Sequence, residues 1–195
     1  MIAGHFGFAA AVRSREPATP LWVLMLATVW LDIVFVPLLL THIESLQPAP
    51  GATRTYGGHL IYADYTHSLV GAASLSAILG LAAAWAWNRR SGLAVAAVAF
   101  SHWILDLVTH RGDMPILPGN VGHLPRLGFA LWRWPILSAG VELALVVAGA
   151  LLYWRAARRV CLAAGRGVGL AAALGTLALV FGALILGLDF TGVLP

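Results

Sequence analysis

The chain has 195 residues, 60% apolar and only 10% charged, with a formal net charge of +4. A water-soluble domain carries roughly 25% charged residues, so a soluble globular enzyme is excluded and a single membrane-embedded domain over residues 1–195 is expected. All twelve cations are arginine, with no basic-plus-aromatic groove pattern, which argues against a nucleic-acid partner; the lone Cys161 rules out an internal disulfide.

Met1–Val12 is apolar, but its charges, Arg13 and Arg15, follow the apolar run, so it does not read as a cleaved signal peptide. At ~1.5 Å per residue it is too short for a ~30 Å hydrocarbon core, and a short helix lying at or dipping into the membrane is expected. Five segments are long and apolar enough to cross: Leu21–Leu40, Ser68–Trp87, Gly92–Val108 continuing to His110, Pro135–Trp154 and Val168–Leu188. Pro20 and Pro135 suit helix starts, and Pro37 is placed to bend the first span. The Pro/Gly-rich stretches Thr41–Tyr65 and Arg111–Trp134 read as surface loops, with His42, Glu44, His59 and His123 solvated, and Arg111-Gly112-Asp113 reads as a cap and turn. The class is therefore all-α: a polytopic helix bundle of about five transmembrane helices plus a short N-terminal helix.

Arginine placement orients this bundle. Arg13, Arg15, Arg89, Arg90, Arg155, Arg158, Arg159 and Arg166 gather on one side, and Arg54, Arg111, Arg126 and Arg133 on the other. The positive-inside rule puts the first side, and the N-terminus, in the cytoplasm.

Polar groups interrupt the oily spans at one depth. His102, Asp106 and His110 stand at i, i+4 and i+8 and share a helix face. A rise of ~1.5 Å per residue puts Asp32 about 16 Å above the cytoplasmic start of the first span, and His102 and Asp106 about 15 and 21 Å above the start of the third. By the same measure Glu142 lies about 10 Å below the outer end of the fourth. His67 and Asp64 stand at the entrance of the second span, and His5 reaches the same level if the short helix dips inward. The fifth span offers nothing before Asp189; its Gly169, Gly175, Gly182 and Gly187 read as helix-packing positions. An isolated intramembrane His or Asp often only pairs with a neighbouring helix. Asp32, Asp106 and Glu142 converging with His102 is different, because buried carboxylates repel unless a cation or proton joins them. Imidazole and carboxylate are the ligands of zinc and related metals.

These residues form a pattern that resembles the YdjM-like family of small inner-membrane proteins, described as metal-dependent hydrolases. The marks are Gly4-His5-Phe6-Gly7, Leu31-Asp32-Ile33, Tyr65-Thr66-His67-Ser68-Leu69 and Ser101-His102-Trp103-Ile104-Leu105-Asp106, followed by Thr109-His110-Arg111-Gly112-Asp113-Met114-Pro115 and Glu142. The resemblance runs to about residue 155. The chain departs from it where Val34 stands in place of the second carboxylate of Asp-x-Asp, and where Tyr62-Ala63-Asp64-Tyr65 replaces a His-Arg-Gly lead-in, with Asp64 placed to compensate.

The resemblance implies a bacterial-type inner (plasma) membrane location and a divalent metal, zinc or else manganese. Candidate ligands are His5, Asp32, His67, His102, Asp106 and His110; Glu142 and Asp64 are candidate catalytic bases. The expected reaction is hydrolysis of an amphiphilic or phosphoester substrate by a metal-activated water, in the outer half of the bilayer among lipid partners. The alternative is a proton or cation transporter using the same cluster. Five spans without an inverted repeat weigh against a carrier unless a homo-oligomer restores symmetry. Haem held by paired histidines is a third reading, weakened by carboxylates that haem does not need.

Overall fold

The computed structural model describes residues 1–51 and 56–191, so Arg54, counted above among the orienting arginines, lies outside the described residues. Seven helices make up nearly all the regular structure: α1 (Ile2–Arg13), α2 (Leu21–Thr28), α3 (Trp30–Leu40), α4 (Leu69–Ala86), α5 (Arg89–Thr109), α6 (Pro135–Ala163) and α7 (Gly169–Phe190). Four of them, α4 to α7, are long and apolar enough to cross a membrane; counting α2 and α3 as one bent span gives five. The all-α bundle with a short first helix is therefore present.

Local chemistry explains most boundaries. Ser68 caps α4 by accepting from the Gly71 N–H at 3.0 Å, and Asn88 caps α5 by accepting from Ser91 at 2.9 Å. Pro135 opens α6, where its missing N–H costs nothing. α6 continues past Trp154 to Ala163, with Arg155, Arg158 and Arg159 on its last turns, where long stems let guanidinium groups leave the apolar layer.

The first span breaks by 45° at Val29 and not at Pro37, which sits inside α3 without interrupting it. The break has a chemical use: the Thr28 carbonyl at its lip accepts a hydrogen bond from His102 Nδ1 at 2.7 Å, and the Thr28 hydroxyl donates to the His5 carbonyl at 3.1 Å. Unwound backbone at membrane depth is tolerated only when partners of this kind satisfy it.

α1 is buried between α6, α7, α2 and α5. Its close fit on α6 depends on missing side chains, because a Cβ on Gly149 would collide with the Gly7 carbonyl. Of the four α7 glycines, Gly175 packs on Trp154 and Gly182 on Val146, whereas Gly169 and Gly187 face open space.

The loops are more ordered than surface excursions. Residues 45–48 and 59–62 form an antiparallel hairpin, β1 (Ser45–Pro48) and β2 (His59–Tyr62), in the register Ser45 with Tyr62. The 111–134 segment folds back onto the helix ends. Pro115 and Ile116 carbonyls accept from Leu69 and Val70 at the start of α4, and the Ala130 N–H caps the His110 carbonyl at 2.7 Å. Asp64 and Arg126 lock this layer through a two-pronged pair at 2.6 and 2.9 Å, with Arg126 also donating to the Asp113 carbonyl. Hydrogen bonding to Asp64 raises the Arg126 pKa despite partial burial.

Candidate metal centre

Four chain segments deliver the cluster. α5 supplies His102 and Asp106 one turn apart, and His110 as the residue that ends the helix. The residue before the α4 cap is His67, fixed by its N–H to Ala63 and by the Trp103 indole N–H donating to its carbonyl at 2.8 Å. α3 brings Asp32 and α1 brings His5. All are buried except Asp32, whose side chain is 38% exposed. All six line one cavity of about 250 Å³.

Three histidines are oriented by independent partners. His102 Nδ1 faces a carbonyl, which can only accept, so that nitrogen carries the proton. His110 Nδ1 faces the Asp113 carboxylate at 2.8 Å and donates to it. His67 Nδ1 donates to Thr66 Oγ1 at 2.9 Å, because that hydroxyl gives its own proton to Glu44 Oε2 at 2.9 Å. In the neutral rings each Nε2 is left with its lone pair, and all three turn inward. His67 Nε2 and His102 Nε2 are 3.3 Å apart, each 3.5 Å from Asp32 Oδ1. Asp106 Oδ2 lies 2.9 Å from His102 Nε2 and 3.8 Å from those of His67 and His110.

Lone pairs and carboxylates at these separations repel one another unless positive charge sits between them. A tetrahedral metal with ~2.0–2.1 Å bonds to nitrogen sets its ligands about 3.3 Å apart. The Asp32, His67 and His102 triangle, with sides of 3.3, 3.5 and 3.5 Å, fits that requirement and leaves a fourth direction open. A second set, His5, His102 and Asp106, shares His102 with it.

His5 is held differently. Its Nε2 is 3.1 Å from Asp106 Oδ1 and its ring stacks on His102 at 4.0 Å, but its buried Nδ1 has no partner among the described residues. No anchor fixes its tautomer, so the geometry suits it equally to steadying Asp106 and to binding an ion.

The two candidate bases have other duties. Asp64 is committed to Arg126. Glu142 accepts from the Gly4 N–H of α1 at 3.0 Å and from the Tyr56 hydroxyl at 2.8 Å, and neither lines the cavity. Burial and the adjacent Glu142 carboxylate keep the Tyr56 hydroxyl protonated by raising its pKa. Glu142→Gln retains an acceptor for Gly4, so it is expected to keep metal content and activity within about threefold, whereas loss of a general base costs about 100-fold or more. Steady-state hydrolysis by the two proteins decides between these roles.

Two supporting residues escape sequence reasoning. Glu44, expected in solvent, is buried and accepts from the Tyr65 and Thr66 N–H groups at 2.8 and 2.9 Å as well as from the Thr66 hydroxyl. Burial raises the Asp113 pKa, but donation from His110 and the Ile61 N–H outweighs it and holds the carboxyl below its usual range. His42 and His123 are exposed, as expected, while His59 joins the cavity wall. Asp113 was accessible from its i, i+3 spacing to His110; Glu44 carried no comparable signal. Glu44→Gln is expected to weaken metal affinity by about 10–100-fold, the usual effect of losing a ligand's hydrogen-bonded support, as read by competition with a chelating dye.

No family model, curated protein or solved structure matches the chain.

Proposed function

We propose that this protein is a membrane-embedded, metal-dependent hydrolase of the YdjM-like kind, acting on an amphiphilic or phosphoester substrate. The observation carrying this reading is the convergence of three histidine lone pairs, each set by its own buried partner, on Asp32 and Asp106. Asp32, His67 and His102 hold the ion, zinc or manganese by donor type, with Asp106 beside them. Such an ion supplies Lewis acidity toward water and toward a phosphoryl or ester oxygen. Asp32, the most exposed of the six, is the side that substrate meets. His110 presents to the cavity an Nε2 without a hydrogen-bond partner among the described residues, where it can take a proton. Phe35 stands edge-on to His67 at 5.9 Å and Trp132 covers His110 at 4.7 Å, so apolar rings limit water around the ligands. The arginine-rich end faces the cytoplasm, and the hairpin the opposite side of a bacterial-type inner membrane.

One contact favours a second reading. At 2.9 Å, His102 Nε2 and Asp106 Oδ2 can share a proton, as in a translocating relay. Elemental analysis of protein purified without added metal separates the two. Near-stoichiometric zinc or manganese, with phosphoester hydrolysis abolished by a chelator and restored by that metal, is expected. Metal-free protein that carries protons across liposomes would select the relay.

A further inference from the structure

We propose that the substrate of this site carries an apolar chain, and that the chain lies in a channel between α3 and the hairpin, entered sideways from the lipid. The inference rests on the hydrolase reading and specifies its substrate class.

Four cavity-lining residues, Asp32, Phe35, Val36 and Leu39, recur at i, i+3, i+4 and i+7 of α3 and so form one stripe. It begins at the one partly exposed carboxylate of the cluster and continues for about 10 Å as purely apolar wall. Leu46 of β1 and Ile61 of β2 line the same cavity from the hairpin, with His59 as the one polar side chain that the strands add. A site built for a small water-borne phosphoester would line its approach with polar or cationic groups. Here no arginine is among the described lining residues, and two of the hairpin end are engaged elsewhere: Arg111 on the Gly57 and Trp132 carbonyls, Arg126 on Asp64 and the Asp113 carbonyl.

Val36 both lines the cavity and is half exposed, which places the entry beside it. A second stripe on α3, Ile33, Val36 and Leu40, is exposed on the outside of the bundle, and Val36 belongs to both stripes. α3 packs less closely on its neighbours than α4 to α7 do, and it is inclined by 45° to α2. An apolar chain can therefore pass from the surrounding lipid over Val36 with little loss of apolar contact, and its polar head then meets Asp32, His67 and His102.

Dodecyl phosphate with a photoreactive diazirine at its chain end tests this on the full chain in phosphatidylcholine nanodiscs. Crosslinks at Leu39 and Leu46 are counted by mass spectrometry relative to Leu177 and Leu184, which face outward on α7 and report bulk lipid labelling. Enrichment at the channel of about tenfold or more is expected. It should fall to the α7 level in Val36→Trp, which narrows the opening while metal content stays at the wild-type value. Unlabelled dodecyl phosphate should compete at least about 100-fold better than ethyl phosphate. Channel labelling no higher than α7 labelling, or ethyl phosphate competing equally, would overturn the channel. A chelator arm separates this from the parent reading. Enrichment in a protein that purifies without metal and hydrolyses no phosphoester when zinc or manganese is added supports the channel and removes the hydrolase assignment; metal-bound protein that hydrolyses ethyl phosphate without enrichment removes the channel alone.

Discussion

Replacing His102 with alanine is expected to lower metal affinity by more than about 100-fold and to abolish hydrolysis. His102 is common to both ligand sets found among the described residues, so neither survives its loss. Changes in residues that only support ligands cost about 10–100-fold, and a shared ligand must exceed that. The substitution also leaves the Thr28 carbonyl without its donor and removes the ring on which His5 stacks. Failure to fold must therefore be separated from failure to bind. His67→Ala serves that purpose, because it leaves His5, His102 and Asp106 intact; reduced metal content in a monodisperse protein is expected there. Undiminished one-to-one metal in both variants, by elemental analysis, would refute the assigned centre.

The second large effect is expected from Gly149→Val. Even the first carbon of the new side chain falls on the Gly7 backbone, and neither helix can yield without moving α1. Overpacking a tight interface costs about 1–3 kcal/mol, and the upper part of that range applies where backbone meets side chain. Displacing α1 withdraws His5 and frees Glu142 from the Gly4 N–H. A fall in melting temperature, together with new protease cleavage within residues 2–13, is the expected signature. Gly140→Val on the same helix is the control, since a Cβ there meets nothing. Equal melting temperatures for the two variants would show that α1 does not rely on this contact.

Sequence made the spans legible because the lipid imposes length and apolarity on each, and all five observed segments begin within three residues of their expected starts. The break at Val29 was not legible: it occurs without Gly or Pro, and the His102 donor that satisfies the Thr28 carbonyl at its lip lies 74 residues from Thr28. The hairpin was hidden for a related reason, since Ser45–Pro48 and His59–Tyr62 are too short to show alternation against their Pro/Gly surroundings. Helical spacing and depth matched Asp32, His102 and Asp106 correctly. The same depth argument brought Glu142 to the right level but could not show which way it faces, and it turns to α1. Glu44 looked like a loop anion because burial of a loop carboxylate depends on distant N–H donors, here those of Tyr65 and Thr66.

The α1–α6 contact also bears on the order of assembly. The hydrogen bond between Gly4 and Glu142 joins residues 138 apart, and twelve residues are too few to enter a bilayer as a span of their own. α1 thus has no seat until α6 and α7 have been synthesised and inserted, and contacts of such long sequence separation form late. The cavity is then closed by a helix that precedes α6 and α7 in the chain but docks after them. A nascent chain stalled before α6 would have five of the six cluster residues in place and lack His5, which ties closure of the cluster to insertion of α6 and α7.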